Sequence, residues 1–173
     1  MPELVRSKIR DIPDFPKPGI IFKDITTAIK HPETFQRIVD FIAEEFKNEK
    51  IDYIAAIESR GFIFGAPIAY KLDAGLVIIR KPGKLPAKVE KMSYELEYGT
   101  DAVEIHEDAI EKGKRVLLID DLLATGGTAQ ASYDLIKKIG GVPVGMAFVI
   151  ELAFLNGRKR LTDEVKIISM VEY

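Results

Sequence analysis

Apolar residues recur along this chain with two different periods. Helical spacing over residues 33–48 predicts an amphipathic helix, and the residues that carry this pattern are Phe35, Ile38, Val39, Ile42 and Phe46. Short apolar runs predict strands at residues 53–57, 76–79, 116–119, 144–150 and 165–170, with further helices at 62–72 and from Thr128 onward. Strands that alternate with helices are typical of an α/β fold with a largely parallel sheet. Ligands bind beyond the carboxyl ends of such strands, so the loops after residues 57, 79 and 119 should share one rim.

Two segments depart from this pattern. Residues 4–12 predict a short helix, and three prolines make residues 14–19 extended or turning. From Lys81 to about Asp101, proline, glycine and polar residues leave about twenty residues with little periodicity. A connection of that length in a compact domain is often a functional lid, although its composition also permits a β-hairpin through residues 92–98.

Composition narrows the class of protein. A chain of 173 residues favours one domain, 1–173, and 47% apolar residues can bury a sizeable core. A net charge of −2 and a pI of about 5.8 imply no overall attraction to nucleic acid. The absence of cysteine excludes disulfides and thiolate metal sites. No signal-peptide pattern begins the chain and no apolar run is long enough to span a bilayer, so a cytoplasmic protein without a membrane partner is expected.

The most informative motif follows the strand at residues 116–119. Two carboxylates, Asp120 and Asp121, precede a loop of small residues that opens a helix, and the loop consists of Ala124, Thr125, Gly126, Gly127 and Thr128. Backbone N–H groups and the helix dipole at such a turn suit a phosphate group. The carboxylates can accept hydrogen bonds from sugar hydroxyls or lie behind a metal ion. The motif therefore predicts a ribose 5-phosphate site, and it lacks the Gly-Lys-Ser/Thr end of a Walker A loop.

A second strand-to-helix loop repeats this arrangement. Ser59 and the neighbouring amides can bind phosphate oxygens, and Arg60 offers a bidentate fork. The alternative is that Ser59 caps the helix and Arg60 is a solvated side chain. Five cations then lie within twelve residues, namely Arg80, Lys81, Lys84, Lys88 and Lys91. These cations suit the negative charge of a pyrophosphate leaving group. The alternatives are a solvated basic loop and a surface that attracts RNA.

Two further segments contain candidate residues whose roles the pattern alone leaves open. Ile21 and Phe22 can sandwich a flat base, or they can pack the N-terminal segment onto the core. Residues 93–99 hold two carboxylates, Glu95 and Glu97, and an extended conformation would place both on one face. The residue pattern does not choose between these two carboxylates as a catalytic group.

Taken together, these segments resemble the adenine branch of the type I phosphoribosyltransferase family over nearly the whole chain. The central motif, Asp120 to Thr128, is common to many phosphoribosyltransferases. More specific to the adenine branch are residues 14–25 (DFPKPGIIFKDI), residues 93–99 (SYELEYG) and the Leu-Leu pair after the acids. The resemblance also covers residues 58–62, residues 79–86 and Glu151–Leu152.

The resemblance implies a type I phosphoribosyltransferase fold with a small N-terminal hood, residues 1–32, and a flexible lid loop, residues 81–102. It implies that residues 124–128 hold the 5-phosphate, that Asp120 and Asp121 hold the ribose hydroxyls, and that Glu97 and Arg60 are catalytic. The residues implied to bind pyrophosphate are Ser59, Arg60 and the cations Arg80, Lys81 and Lys84. The peptide bond before Ser59 is expected to be cis. The residues implied to line the adenine pocket are Ile21, Phe22, Lys23 and Leu152, and Tyr98 of the lid is implied to bind substrate. Lys23 stands where many members carry Arg, and Glu58 where Asp is common.

The implied reaction is purine salvage, in which adenine and 5-phosphoribosyl-1-pyrophosphate give AMP and pyrophosphate. Members of the family are homodimers that need Mg²⁺, which the phosphoribosyl pyrophosphate carries, so no direct protein ligand for a metal is expected. An enzyme for another 6-substituted purine is the alternative within the family. A regulator that senses the same substrate and binds nucleic acid is the alternative outside it, and it would need an additional domain or a strongly basic face.

Overall fold

The computed structural model describes residues 2–173, so Met1, the first residue of the predicted hood, lies outside the described residues. The helices are α1 (Pro2–Arg6), α2 (Thr26–Ile29), α3 (Pro32–Phe46), α4 (Gly61–Lys71) and α5 (Gly127–Lys138). The strands are β1 (Arg10–Pro13), β2 (Ile21–Asp24), β3 (Tyr53–Ile57), β4 (Gly75–Ile79), β5 (Val89–Glu95), β6 (Thr100–His106), β7 (Arg115–Leu123), β8 (Val142–Glu151) and β9 (Lys166–Glu172). Two short 3₁₀ helices, Ala153–Leu155 and Gly157–Arg160, lie between β8 and β9.

The central sheet has five strands in the order β4-β3-β7-β8-β9, and all of its pairings are parallel. Strand β7 shows why it lies in the middle: Leu117 and Ile119 pack on one face with α3 and α4, while Val116 and Leu118 pack on the other with α5. A strand buried on both faces needs an unbroken apolar run, which is the pattern found there. The predicted largely parallel α/β sheet is confirmed.

The predicted helix over residues 4–12 is wrong beyond Arg6. Residues 10–13 instead form β1, which pairs antiparallel with β2 in the register Arg10↔Asp24 to Pro13↔Ile21. Arg10 donates to the Asp24 carboxylate, with Nη2 2.5 Å from Oδ2, and so fixes one end of this hairpin. The apolar residues of 4–12 keep a helical spacing although the helix ends at Arg6 and a strand begins at Arg10. The spacing alone therefore does not show where the helix ends.

Residues 89–106 form a β-hairpin, and residues 81–88 lead into it without forming a helix or a strand. Strands β5 and β6 pair antiparallel from Val89↔His106 to Glu95↔Thr100, and residues 96–99 make the turn. The observed strands begin earlier and end later than the hairpin anticipated at residues 92–98. Val103 and Ile105 of β6 are buried in the core on the α5 side of the sheet, so the base of the hairpin is part of the folded domain.

Candidate active site

The carboxyl ends of β3 and β7 meet around a cavity of about 430 Å³. Its polar lining comes from the carboxyl ends of β3, β4 and β7 and the residues after them, as the sequence predicted, and consists of Glu58, Ser59, Arg60, Lys81, Asp120, Asp121, Thr125 and Thr128, together with Ala124 and Gly126. Its apolar lining is Ile57, Leu122, Leu123 and Ala129. The cavity thus brings a small-residue loop, two acids and two cations to one rim.

The small-residue loop joins β7 to α5. Gly126 has φ +83° and stands immediately before the first helical residue, Gly127. The first N–H groups of a helix have no partner within it, so the start of α5 presents donors and positive potential to the cavity. Thr125 is exposed, and its hydroxyl adds a donor at the same place. This geometry fits a dianionic phosphate.

The two glycines of this loop are also required by packing within the protein. A Cβ on Gly126 would lie 2.3 Å from the carbonyl oxygen of Gly157, and a Cβ on Gly157 would lie 2.1 Å from that of Ala124. A Cβ on Gly127 would lie 2.9 Å from Cδ2 of Tyr94. The 3₁₀ segment at Gly157 therefore forms the back wall of the loop, a contact that local sequence patterns do not reveal.

Asp120 and Asp121 belong to β7, which continues past the predicted end at Ile119 to Leu123. Their side chains have different surroundings. Asp121 is 8% exposed and accepts from Nε of Arg60 at 2.5 Å. Asp120 accepts the backbone N–H of Asp121 at 2.8 Å. Desolvation and the neighbouring Asp121 charge raise the pKa of Asp120 well above its ordinary value.

Arg60 lies at the helix side of the cavity, at the residue before α4. Burial acts to lower the pKa of its guanidinium, but the hydrogen bond and charge of Asp121 outweigh burial and raise it. The guanidinium carbon also lies 5.7 Å from the centre of the Phe22 ring, in cation–π range. The peptide between Glu58 and Ser59 is cis, as expected. Arg60 is thus a fixed cation beside the two acids.

Glu58 organises the cation cluster, a role that the sequence did not suggest. Its carboxylate is 9% exposed, pairs with the ammonium of Lys84, and accepts from Nε of Arg80 at 3.2 Å. It also accepts the backbone N–H of Lys81 at 2.7 Å. Burial acts to raise the pKa of Glu58, but these donors outweigh it and lower the pKa. The ammonium of Lys81 itself pairs with Asp101 and donates to the Tyr94 hydroxyl at 2.7 Å.

The four residues expected to line a base pocket are not brought into a single cavity. Ile21, Lys23 and Leu152 line an apolar recess of about 440 Å³, with Phe154 and Tyr173 among its other walls. Phe22 alternates to the opposite side of β2, and its ring approaches Arg60. The ammonium of Lys23 donates to Asp11 at 2.7 Å and lies 3.9 Å from the centre of the Tyr173 ring, so its side chain is already held.

Glu97 and Tyr98 lie in the turn of the β5–β6 hairpin, and neither lines the cavity. Tyr98 is 86% exposed. Glu95 is the last residue of β5, so Glu95 and Glu97 do not share the face of one extended strand. Within residues 2–173 no group of three acidic, histidine or cysteine side chains is arranged to hold a metal ion.

Comparison with known proteins shows the family of this chain. Residues 26–171 match the phosphoribosyl transferase domain family. Adenine phosphoribosyltransferase of Nostoc punctiforme is 56% identical over 98% of this chain and 99% of its own. The crystal structure of adenine phosphoribosyltransferase from Thermoanaerobacter pseudethanolicus is 51% identical, with a TM-score of 0.95 over 100% of both chains. The enzyme of Saccharomyces cerevisiae, complexed with an imino-altritol bisphosphate and adenine, is 38% identical, with a TM-score of 0.91 over 98% of this chain and 97% of its own.

The fold is thus that of a phosphoribosyltransferase. The match extends over almost the whole chain, and within that class the chain belongs to the adenine phosphoribosyltransferase family.

Proposed function

We propose that the protein transfers the phosphoribosyl group of 5-phosphoribosyl-1-pyrophosphate to adenine, giving AMP and pyrophosphate in purine salvage. The observation that carries this proposal is the convergence of the small-residue loop, the two acids and the Ser59–Arg60 loop in one cavity. Residues 124–128 bind the 5-phosphate, Asp120 and Asp121 bind the ribose hydroxyls, and Ser59 and Arg60 bind pyrophosphate. Arg80, Lys81 and Lys84 extend this cationic side.

This arrangement suits the charges that develop in the reaction. Breaking the bond to C1′ places positive charge on the ribose and negative charge on the departing pyrophosphate, which fixed cations stabilise. Arg60 is already oriented by Asp121, so little reorganisation is needed when pyrophosphate forms. The base must lie in line with C1′, and holding both reactants in that geometry supplies a large part of the rate.

The metal requirement follows from the same chemistry. Mg²⁺ prefers an octahedron of oxygens and is commonly held by one or two carboxylates together with substrate phosphates. Residues 2–173 offer no protein cage, but Asp120 and Asp121 provide two carboxylates at the cavity. The residues therefore fit Mg²⁺ carried by phosphoribosyl pyrophosphate, and the ion would neutralise charge on the leaving group.

The base is proposed to bind near the hood, between residues of β2 and Leu152. Ile21, Lys23 and Leu152 line the apolar recess, while Phe22 faces Arg60 from the other side of β2. The lid, residues 81–102, then closes with Glu97 and Tyr98 at its tip and excludes water.

The enzyme is proposed to act as a cytoplasmic homodimer. Four apolar side chains on α4 and on the edge strand β4 are exposed, namely Ile63, Tyr70, Leu76 and Ile78, and Tyr70 is 91% exposed. A second copy covering this face would remove them from water. Light scattering should report a dimer for the wild type and for Phe154→Glu, and a weakened dimer for Tyr70→Glu. A monomeric wild type would overturn this part of the proposal. In the described residues no helix is long and apolar enough to cross a membrane.

A steady-state assay with four bases tests the reaction itself. Adenine should be converted to AMP with release of pyrophosphate. For hypoxanthine, guanine and xanthine kcat/KM should be at least about 100-fold lower, an effect on the order of that expected from losing a pair of polar contacts to the base. Arg60→Met should lose most activity, whereas Arg37→Met, which removes only a surface pair with Glu33, should retain it. Preference for another purine would favour the alternative enzyme within the family.

A further inference from the structure

Tyr94, on strand β5 of the hairpin, contacts the start of the phosphate-binding helix through its ring. The ring occupies the space that a side chain on Gly127 would need, with Cδ2 2.9 Å from the position of a Cβ there. The absence of a side chain at Gly127 is therefore what allows β5 to pack this closely on α5. Farther along the same two elements, Lys138 pairs with Glu90 at 2.6 Å.

The hydroxyl of Tyr94 joins three polar groups. It accepts from the Lys81 ammonium at 2.7 Å and from the Thr128 hydroxyl at 2.9 Å, and it donates to Oδ2 of Asp101 at 3.1 Å. A phenol has one donor and two acceptor positions, so this pattern uses all of them. The two acceptor bonds connect residues that belong to different parts of the cavity lining.

Lys81 depends on these contacts for its position. Its ammonium has a long, flexible stem and no fixed direction of its own. Burial acts to lower the pKa of Lys81, but the bonds to Asp101 and Tyr94 outweigh it and raise the pKa, so the ammonium is held charged. Without the hydroxyl, Asp101 remains as an anchor from β6 and the link to the phosphate loop is lost.

We propose that Tyr94 is a positioning residue that holds the Lys81 ammonium against the phosphate loop, where it meets the pyrophosphate of the substrate. Tyr94 acts through Lys81 and does not itself contact substrate. The proposal rests on the proposed function, because it assigns phosphoribosyl pyrophosphate to the cavity. It goes beyond that function by giving the hairpin a role in the open enzyme, before any closure over the base.

The test is a double-mutant cycle on the binding of phosphoribosyl pyrophosphate with Mg²⁺, measured by calorimetry in the absence of adenine. Tyr94→Phe keeps the ring and removes the hydroxyl, and it should weaken binding about 10-fold, the usual effect of a lost hydrogen bond to a charged group. In a Lys81→Met background the same change should weaken binding less than about 2-fold, since there is no ammonium left to position. The matched control is Tyr133→Phe, which should bind like the wild type. The Tyr133 hydroxyl donates to Glu164 at 2.8 Å, and neither residue lines the cavity.

The outcomes separate the proposals. Wild-type affinity in Tyr94→Phe would overturn the role of Tyr94 and leave the proposed function intact. An equal loss in both backgrounds would also overturn it, because the hydroxyl would then act independently of Lys81. No binding by the wild type would instead overturn the proposed function. Thermal unfolding of all variants shows whether Tyr94→Phe differs from Tyr133→Phe in stability. A positioning role for Tyr94 does not require such a difference.

Discussion

The guanidinium of Arg60 and the carboxylate of Asp121 form a close pair, with Nε 2.5 Å from Oδ2, across the floor of the cavity. The two adjacent acids therefore differ in their contacts. Asp121 accepts from the Arg60 guanidinium, whereas the Asp120 carboxylate accepts the backbone N–H of Asp121 and pairs with no cation among residues 2–173. The sequence motif presents both acids as equivalent ligands of ribose, and the structure assigns one of them a second partner.

This difference predicts opposite effects on stability. Asp120→Asn removes a carboxyl group whose charged form is made unfavourable by desolvation and by Asp121, so it should raise the free energy of unfolding at neutral pH. Asp121→Asn removes the pair with Arg60 and should lower it by about 1 kcal/mol, a modest value because Arg60 is 41% exposed. Both should weaken ribose binding. Urea unfolding at several pH values measures the stability effects.

The pH dependence of the Asp120 effect has a definite sign. The raised pKa means that the folded protein retains the Asp120 proton at pH values where the unfolded chain has lost it, so stability falls as pH rises through that range. The gain from Asp120→Asn should thus be greatest above the folded pKa and disappear below about pH 4, where the unfolded carboxyl is protonated as well. A gain that grows on acidification would contradict the assignment.

The phosphate loop offers a second prediction. Thr125→Val removes an exposed hydroxyl and should weaken binding of ribose 5-phosphate about 10- to 100-fold with little change in stability. Gly126→Ala should instead destabilise the fold by about 2–4 kcal/mol, because φ is +83° and the new Cβ would meet Gly157. Calorimetry and thermal unfolding distinguish the two effects. Unaltered affinity in Thr125→Val would remove its hydroxyl from phosphate binding.

Glu97 provides the prediction about acid–base chemistry. Adenine must lose its N9 proton, or hold a proton at N7, as the new bond to C1′ forms, and a lid carboxyl can hold that proton. Glu97→Gln should lower kcat by about 10²–10⁴ and leave binding of phosphoribosyl pyrophosphate unchanged. Glu95→Gln is the matched control on β5 and should be nearly neutral. Wild-type kcat in both variants would assign proton transfer to solvent or backbone groups.

Asp24 should support the hood mainly above pH 5. Hydrogen bonds from Thr26 and Arg10 lower its pKa to about 2, so its contribution is complete above the unfolded pKa and is lost as pH falls toward 2. Because Arg10 is 59% exposed, we expect about 1–2 kcal/mol rather than the full linkage value. The stability difference between wild type and Asp24→Asn should shrink between pH 5 and pH 2, as followed by urea unfolding. A constant difference would mean that the carboxylate charge is not the cause.

Local patterns predicted those elements whose burial is periodic. Strand β3 was predicted with its observed bounds, 53–57, because the central sheet buries it continuously. The hairpin β5–β6 was less evident, since β5 is only partly buried along its length and includes the charged residues Glu90, Lys91 and Glu95. Strand β1 was assigned to a helix, because four residues at an exposed edge are too few to establish a period.

The candidate site was predictable where its chemistry is local. The loop at 124–128 and the two acids before it are adjacent in the chain, so their combination can be recognised from one short segment. The contacts of Glu58 with Lys84, of Tyr94 with Thr128, and of Gly126 with Gly157 join positions 26 to 34 residues apart. Such contacts depend on how the strands are arranged, which periodicity within one segment does not encode.

A crystal structure with AMP bound is the most direct test of the central claim, because AMP contains the phosphate, the ribose and the base in one ligand. We predict that the phosphate accepts from the backbone N–H groups of residues 124–128, and that the ribose hydroxyls donate to Asp120 or Asp121. The adenine should contact Phe22, Ile21 and Leu152. A phosphate bound instead at Ser59 and Arg60, with the loop at 124–128 left free of ligand, would contradict the account.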